Sequence, residues 1–299
     1  MIAQAADMRG NIMSGTTEVP AMASLFDDFS LEMTAKDIQQ LDDMSPLVPA
    51  GTIVSITFLP GESFASRVDA AARVHALGLR PVPHISARRL TSAGELEGFL
   101  DALAGRIDLK HVFVVAGDLD TPAGPYEDAL SVIRSNLFAK YGIGHVGVAG
   151  YPEGHPHITA PMLDMALREK AALFADQGLD WSIMTQFGFD ADPVLAWLAA
   201  IRRSGILAPV RIGVSGPASV KTLMRFALRC GVGTSAKVMK KYGLSVTKLL
   251  GTAGPEPILK ALAQDLDSNV HGTTRLHFYP FGGLIKTAEW IRDFNPREN

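Results

Sequence analysis

Eight short apolar runs, separated by stretches long enough for helices, constrain this chain more than any other feature. The runs are Phe29–Met33, Thr52–Phe58, Arg80–Ser86, His111–Ala116, His145–Tyr151, Trp181–Phe187, Pro209–Val214 and Arg275–Tyr279. Each has strand length and is rich in β-branched residues. The segments between them carry helical spacing, as in Phe64–Gly78, Ser92–Gly105, Tyr126–Tyr141, Ala160–Gln177, Pro193–Ser204 and Ala218–Cys230. Strands joined through helices pair in parallel, and eight of them close a barrel. The expected fold is therefore α/β, a (β/α)8 TIM barrel. Gly231–Asn269 supplies extra helices before the last strand, its first half basic through Lys237, Lys240, Lys241 and Lys248. An open doubly wound sheet is the runner-up, but no Gly-x-Gly-x-x-Gly follows the first run.

Residues 1–24 are small, polar and Met-rich, and read as a flexible N-terminal arm rather than a signal peptide. Residues 25–299 read as one catalytic barrel domain, since no linker or repeat divides them. At 47% hydrophobic the chain is too apolar for disorder. A net charge of -3 argues against a nucleic-acid partner, and no apolar stretch of about 20 residues suggests a membrane span. The single cysteine, Cys230, excludes an internal disulfide framework and fits a reducing, cytoplasmic setting. It lies in an apolar helix and reads as a core residue. Glu153, His155 and His157 cluster, but a zinc site needs three or four converging ligands, so no metal is expected.

In a barrel of this kind the polar residues at the C-terminal ends of the strands face the active-site mouth. Those ends read Glu32, Thr57, His84 with Ser86, Asp118, Tyr151 with Glu153 and His155, Gln186, Ser215 and Tyr279. Taken singly, each has an ordinary reading. Glu32 reads as a solvated loop acid, Asp118 as a turn or cap residue, His84 as a satisfied barrel histidine. Their common position at strand ends is what points to one site.

Several of these ends carry longer words: Pro83-His84-Ile85-Ser86, Gly117-Asp118, Ala149-Gly150-Tyr151-Pro152-Glu153-Gly154-His155-Pro156, Thr185-Gln186-Phe187-Gly188-Phe189-Asp190 and His277-Phe278-Tyr279. In order and spacing the chain resembles the methylenetetrahydrofolate reductases, flavoprotein (β/α)8 barrels, from about Glu32 to the C-terminus. The resemblance implies interconversion of 5,10-methylenetetrahydrofolate and 5-methyltetrahydrofolate, with FAD as cofactor and NADH or NADPH as co-substrate. It implies that Glu32 is the general acid toward folate N10 and that Asp118 lies beside flavin and pterin. Gln186 then hydrogen-bonds the pterin, and Phe226 contacts the substrate side of the flavin. Thr57, His84, Ser86, Gly117, Asp118, Ala149, Tyr151, His155 and Lys170 match flavin-contacting positions. Self-association is also implied by the family.

The chain departs from the family pattern at Ala116, where an arginine is usual, and at Ala166 and Glu169, where an asparagine and an arginine are usual. Gly282-Gly283 stands where an arginine is common, with Lys286 nearby. These departures motivate a second reading, direct hydride transfer from nicotinamide to folate without flavin. A third reading is a non-catalytic folate-binding barrel.

Overall fold

The computed structural model describes residues 21–232 and 251–295. Strands β1 (Ser30–Met33), β2 (Ile53–Ile56), β3 (Arg80–Ser86), β4 (His111–Val115), β5 (His145–Gly150), β6 (Asp180–Phe187), β7 (Val210–Ser215) and β10 (Thr274–Tyr279) form the barrel. Every neighbouring pair is parallel, and the sheet closes in the order β1-β10-β7-β6-β5-β4-β3-β2. A small antiparallel ribbon, β8 (Ala218–Ser219) and β9 (Thr252–Ala253), lies outside it. All eight apolar runs of the sequence are barrel strands, so the expected (β/α)8 fold is the one found.

The period-2 alternation of each strand divides its side chains between two cores. Leu31, Met33, Val54, Ile56, Val112, Val114, Ile212 and Val214 are buried in the large outer cluster that includes the helix faces. That cluster takes Val68, Ala71 and Val74 from helix Phe64–Ala76, and Leu96, Phe99, Leu100 and Leu103 from helix Ala93–Ala104. The serines before these helices, Ser63 and Ser92, cap their N-termini by accepting from Ser66 N and Glu95 N. The alternate set, Ile53, Val82, Phe113 and Met184 with Val115 and Ala149, fills the barrel interior from strand side chains alone.

Two local expectations are corrected. Residues 21–24, read as part of the arm, belong with Leu25 to a short helix (Ala21–Leu25) whose Ala23 and Leu25 are buried. It leads into Phe26 and Phe29, whose rings meet Phe278 at 6.0 and 5.9 Å, so apolar contacts order this segment. Residues 1–20 lie outside the described residues. The single helix expected over Tyr126–Tyr141 is two, Ala129–Ile133 and Leu137–Lys140, because Asn136 adopts a left-handed φ of 59° between them. Of the extra helices before the last strand, Glu256–Asp265 and Ser268–His271 are described, while the lysines at 237, 240, 241 and 248 fall outside the described residues.

One irregularity positions the site. Between β6 and β7 the register shifts between Met184 and Phe187, a bulge that turns Gln186 toward the mouth. Gly213 of β7 donates through its N–H to Thr185 Oγ1 at 2.8 Å, and the bulge presses on it. A Cβ at Gly213 would lie 2.5 Å from the Thr185 carbonyl oxygen and 2.8 Å from Gln186 backbone atoms. Gly213→Ala is therefore expected to cost about 1–3 kcal/mol by overpacking. The fall in urea midpoint measures it. Gly98, exposed in helix Ala93–Ala104 with no atom within 4 Å of an added Cβ, is the control. There alanine should stabilise by about 0.5–1 kcal/mol.

Candidate active site

Glu32 is one residue from the end of β1, on its inward face, in register with Ser55 of β2. Its side chain is 18% exposed. Burial raises its pKa from 4.5 to about 7, against a smaller opposing pull from His84. Two imidazoles flank it. His277 Nε2 stands 3.7 Å from Glu32 Oε2, and His277 Nδ1 shares a 2.8 Å hydrogen bond with Ser30 Oγ. Burial, and then the Arg211 charge, holds His277 at about 3. Burial likewise lowers His84 to about 4, although Glu32 favours its charged form. Both histidines are neutral at physiological pH. The Glu32–His277 contact is therefore no ion pair, and neither ring neutralises the carboxylate.

This layer of the barrel holds unused hydrogen-bonding capacity. Ser55 Oγ, His84 Nε2 and His277 Nε2 are buried and have no hydrogen-bond partner among the described residues. Above them Tyr279 donates its hydroxyl to the Thr185 carbonyl at 2.9 Å. Its ring begins an aromatic column. Phe281 lies parallel to it at 5.8 Å, and Phe226 stacks on Phe281 at 4.0 Å and 13°. Cys230, one turn beyond Phe226, feels the charges of Glu32 and Arg229. Burial pushes its thiol up, so it stays protonated. The core role expected for Cys230 is corrected in place: the residue packs in the aromatic cluster of the mouth rather than in the main core.

The remaining sequence-predicted residues sit around this centre. Thr57 extends the β1–β2 ladder through a 2.9 Å bond from its N–H to the Met33 carbonyl. His84 packs its ring against Phe113 at 4.6 Å, and Ala149 lies in the barrel interior. Ser86 ends β3 beside Gly117, which takes a left-handed φ of 95°. Gln186 donates to the Gly154 carbonyl at 3.0 Å, fastening the β5 loop in which Tyr151 meets His155 edge-on at 5.1 Å.

Asp118 is paired with an arginine at the end of β4. Its carboxylate, 53% exposed, pairs with Arg89 through Nη2 at 2.6 Å and Nε at 2.8 Å. Arg88 donates to the Leu119 and Glu127 carbonyls at 3.0 and 2.7 Å, so the two arginines together hold the β4 loop. Arg88, Arg89 and Phe281 do not stand out in the sequence, and His277 stands out there only within the word His277-Phe278-Tyr279. The Arg88-Arg89 pair, one residue after His84-Ile85-Ser86, was the available signal. Lys170, on helix Ala160–Gln177, lies near Asp128 and Glu169, and burial lowers its pKa.

The side chains around this mouth carry the donors and acceptors that a flavin ring would need. The unpartnered, buried His84 Nε2 and the hydroxyls of Thr57 and Ser86 provide polar contacts beside the neutral interior.

The fold and site define a class: a parallel (β/α)8 barrel whose mouth holds a buried carboxyl, Glu32, beside neutral histidines. The sequence profile described as methylenetetrahydrofolate reductase matches residues 31–282, and the chain belongs to that family. Methylenetetrahydrofolate reductase 1 of Schizosaccharomyces pombe is 29% identical over 152 residues, 49% of this chain and 23% of that protein. The match thus spans less than a quarter of that relative's length. An uncharacterized Clostridium thermocellum protein that binds two copies of 5-methyl-5,6,7,8-tetrahydrofolic acid superposes with a TM-score of 0.61. It is 10% identical, covering 92% of this chain and 97% of that one. That likeness concerns the fold. Among the described residues no helix is long and apolar enough to cross a membrane.

Proposed function

We propose that the protein interconverts 5,10-methylenetetrahydrofolate and 5-methyltetrahydrofolate, with NADH or NADPH as co-substrate and FAD as cofactor. The observation that carries this reading is Glu32: a carboxyl with a pKa of about 7, at the barrel mouth, in a member of this family. Opening the five-membered ring of the methylene folate requires a proton at N10 and leaves a cation centred on N5. A carboxyl half-protonated near neutral pH is suited to give that proton. Neutral His84 and His277 keep the site free of competing positive charge as the substrate cation forms.

Asp118 supplies an exposed negative charge at the rim, restrained by Arg89. Gln186 presents an amide whose NH2 is already committed to Gly154, leaving its carbonyl to accept from a pterin N–H. The Phe226–Phe281–Tyr279 column offers an apolar wall for the planar substrate. FAD bound at Thr57, His84, Ser86, Gly117, Asp118, Ala149, Tyr151, His155 and Lys170 would relay hydride from nicotinamide to the methylene carbon. We place this activity in the cytoplasm, in a self-associated protein.

A second reading is favoured by one observation. Glu169 and Asp128 act on Lys170, and carboxylates beside a diphosphate repel it. Direct transfer of hydride from nicotinamide to folate would need no such diphosphate site. An absorption spectrum before and after FAD addition separates the two. A visible flavin band, bleached by NADH or NADPH and restored by methylene folate, is the expected result. A colourless protein that ignores FAD yet oxidises nicotinamide with the folate establishes direct transfer. A protein that does neither removes the enzymatic reading.

A further inference from the structure

Ser30 stands two residues before Glu32 on β1, so the alternation of the strand turns both side chains to the barrel interior. Across the β1–β10 ladder it is the register partner of His277. Both residues are 0% exposed. The Ser30 hydroxyl makes two contacts. Oγ donates to the Leu276 carbonyl at 3.4 Å and shares a 2.8 Å hydrogen bond with His277 Nδ1. A hydroxyl has one proton to donate. The two bonds are therefore made together only when Nδ1 is the protonated ring nitrogen and donates to Oγ. His277 Nε2 is then a lone pair. It is buried, has no hydrogen-bond partner among the described residues, and lies 3.7 Å from Glu32 Oε2.

A lone pair on that side favours one protonation state of the carboxyl. A carboxylate facing it meets negative with negative, whereas the acid can offer it a proton. The opposite tautomer would place an N–H there and favour the carboxylate. The other groups facing the pair bring no unpaired charge. His84 on β3 is neutral, Tyr279 gives its hydroxyl to the Thr185 carbonyl, and Cys230 stays a thiol. Arg211, whose charge reaches His277 from β7, is paired with Asp28. Burial disfavours the Glu32 carboxylate in any case, and the tautomer decides whether the nearest ring adds to that or opposes it.

We propose that Ser30 is a positioning residue for Glu32: it locks His277 in the Nδ1–H tautomer, so that a lone pair faces the carboxyl and favours its acid form. The proposal rests on the reading of Glu32 as the acid and adds a residue that acts on it through the ring. Ser30→Ala removes the acceptor for Nδ1–H. The ring then does better with its proton on Nε2, where the Glu32 carboxylate can accept it.

Two NMR measurements on the full chain test this without folate. Long-range proton–nitrogen correlation spectra of protein with isotopically labelled histidine read the tautomer, the His277 signals being assigned by their loss in His277→Gln. Nδ1 should carry the proton in the wild type, and Nε2 in Ser30→Ala. Isotopic labelling of the glutamate carboxyl carbons follows Glu32 itself, its signal assigned by loss in Glu32→Gln. Its titration midpoint should fall by at least about half a pH unit in Ser30→Ala. An Nε2–H tautomer in the wild type overturns the proposal, as does a Glu32 midpoint that Ser30→Ala leaves unmoved. Should Ser30→Ala not fold, the wild-type tautomer decides alone. Both expected shifts in a protein that turns over no folate would uphold the role of Ser30 and overturn the substrate reading instead.

Discussion

Glu32→Gln should lower reduction of 5,10-methylenetetrahydrofolate by roughly 10²-fold or more, the scale on which a positioned general acid acts. Glutamine keeps the shape and a polar end, so folate binding should persist. What it lacks is a proton that leaves. The neighbouring groups cannot replace it: His84 and His277 hold lone pairs, not spare protons, because burial keeps both rings neutral down to about 4 and about 3. Transfer from nicotinamide to a quinone acceptor, which bypasses folate, should be little changed. The wild-type folate rate should also fall as pH rises through about 7, where Glu32 loses its proton. The residual rate of the variant should lack that limb. Equal losses with folate and with the quinone would show that Glu32 supports the site as a whole and does not act as the acid.

The barrel was legible because it is written locally. Each of the eight strands is a short run rich in apolar residues, and a polar residue near its end stands out against them, as Gln186 does after Ile183 and Met184. Glu32 could be placed at the mouth for the same reason. What gives Glu32 its chemistry was not legible. Ser30 and His277 are 247 residues apart in sequence and meet only when β10 closes onto β1. No local pattern shows that the two histidines near the carboxyl are buried and neutral. The pairing of Asp118 with Arg89, across 29 residues, is hidden in the same way. A strand end shows which residues face the mouth, while long side chains then choose partners by reach and charge. Asn136 illustrates a third limit: the apolar spacing runs through it, and only the backbone conformation breaks the helix.

The same substitution should make the protein more stable, and most on the alkaline side. Glu32 has a folded pKa of about 7 against an ordinary 4.5. A raised carboxyl contributes its full share of stability below 4.5, where it is neutral in both states. That share is lost as pH rises through about 7. Above this the fold holds a carboxylate it disfavours, at a cost of up to about 3 kcal/mol, from roughly 1.4 kcal/mol per pKa unit. The opening of the mouth to solvent makes this an upper bound. His84 and His277 act with the opposite sign. Their folded values lie below the ordinary 6.5, so their contribution is complete above 6.5 and falls away toward about 4 and about 3. Glu32→Gln leaves those terms nearly intact and removes the first. Urea unfolding at pH 8 should show the variant more stable than the wild type, while at pH 5 the difference should shrink to about a quarter of that. An equal difference at both pH values would mean that glutamine repacks the layer and that no strained carboxylate was relieved. The expected pattern ties the activity to its cause: the carboxyl works as an acid near pH 7 because the barrel pays in stability to keep it out of water.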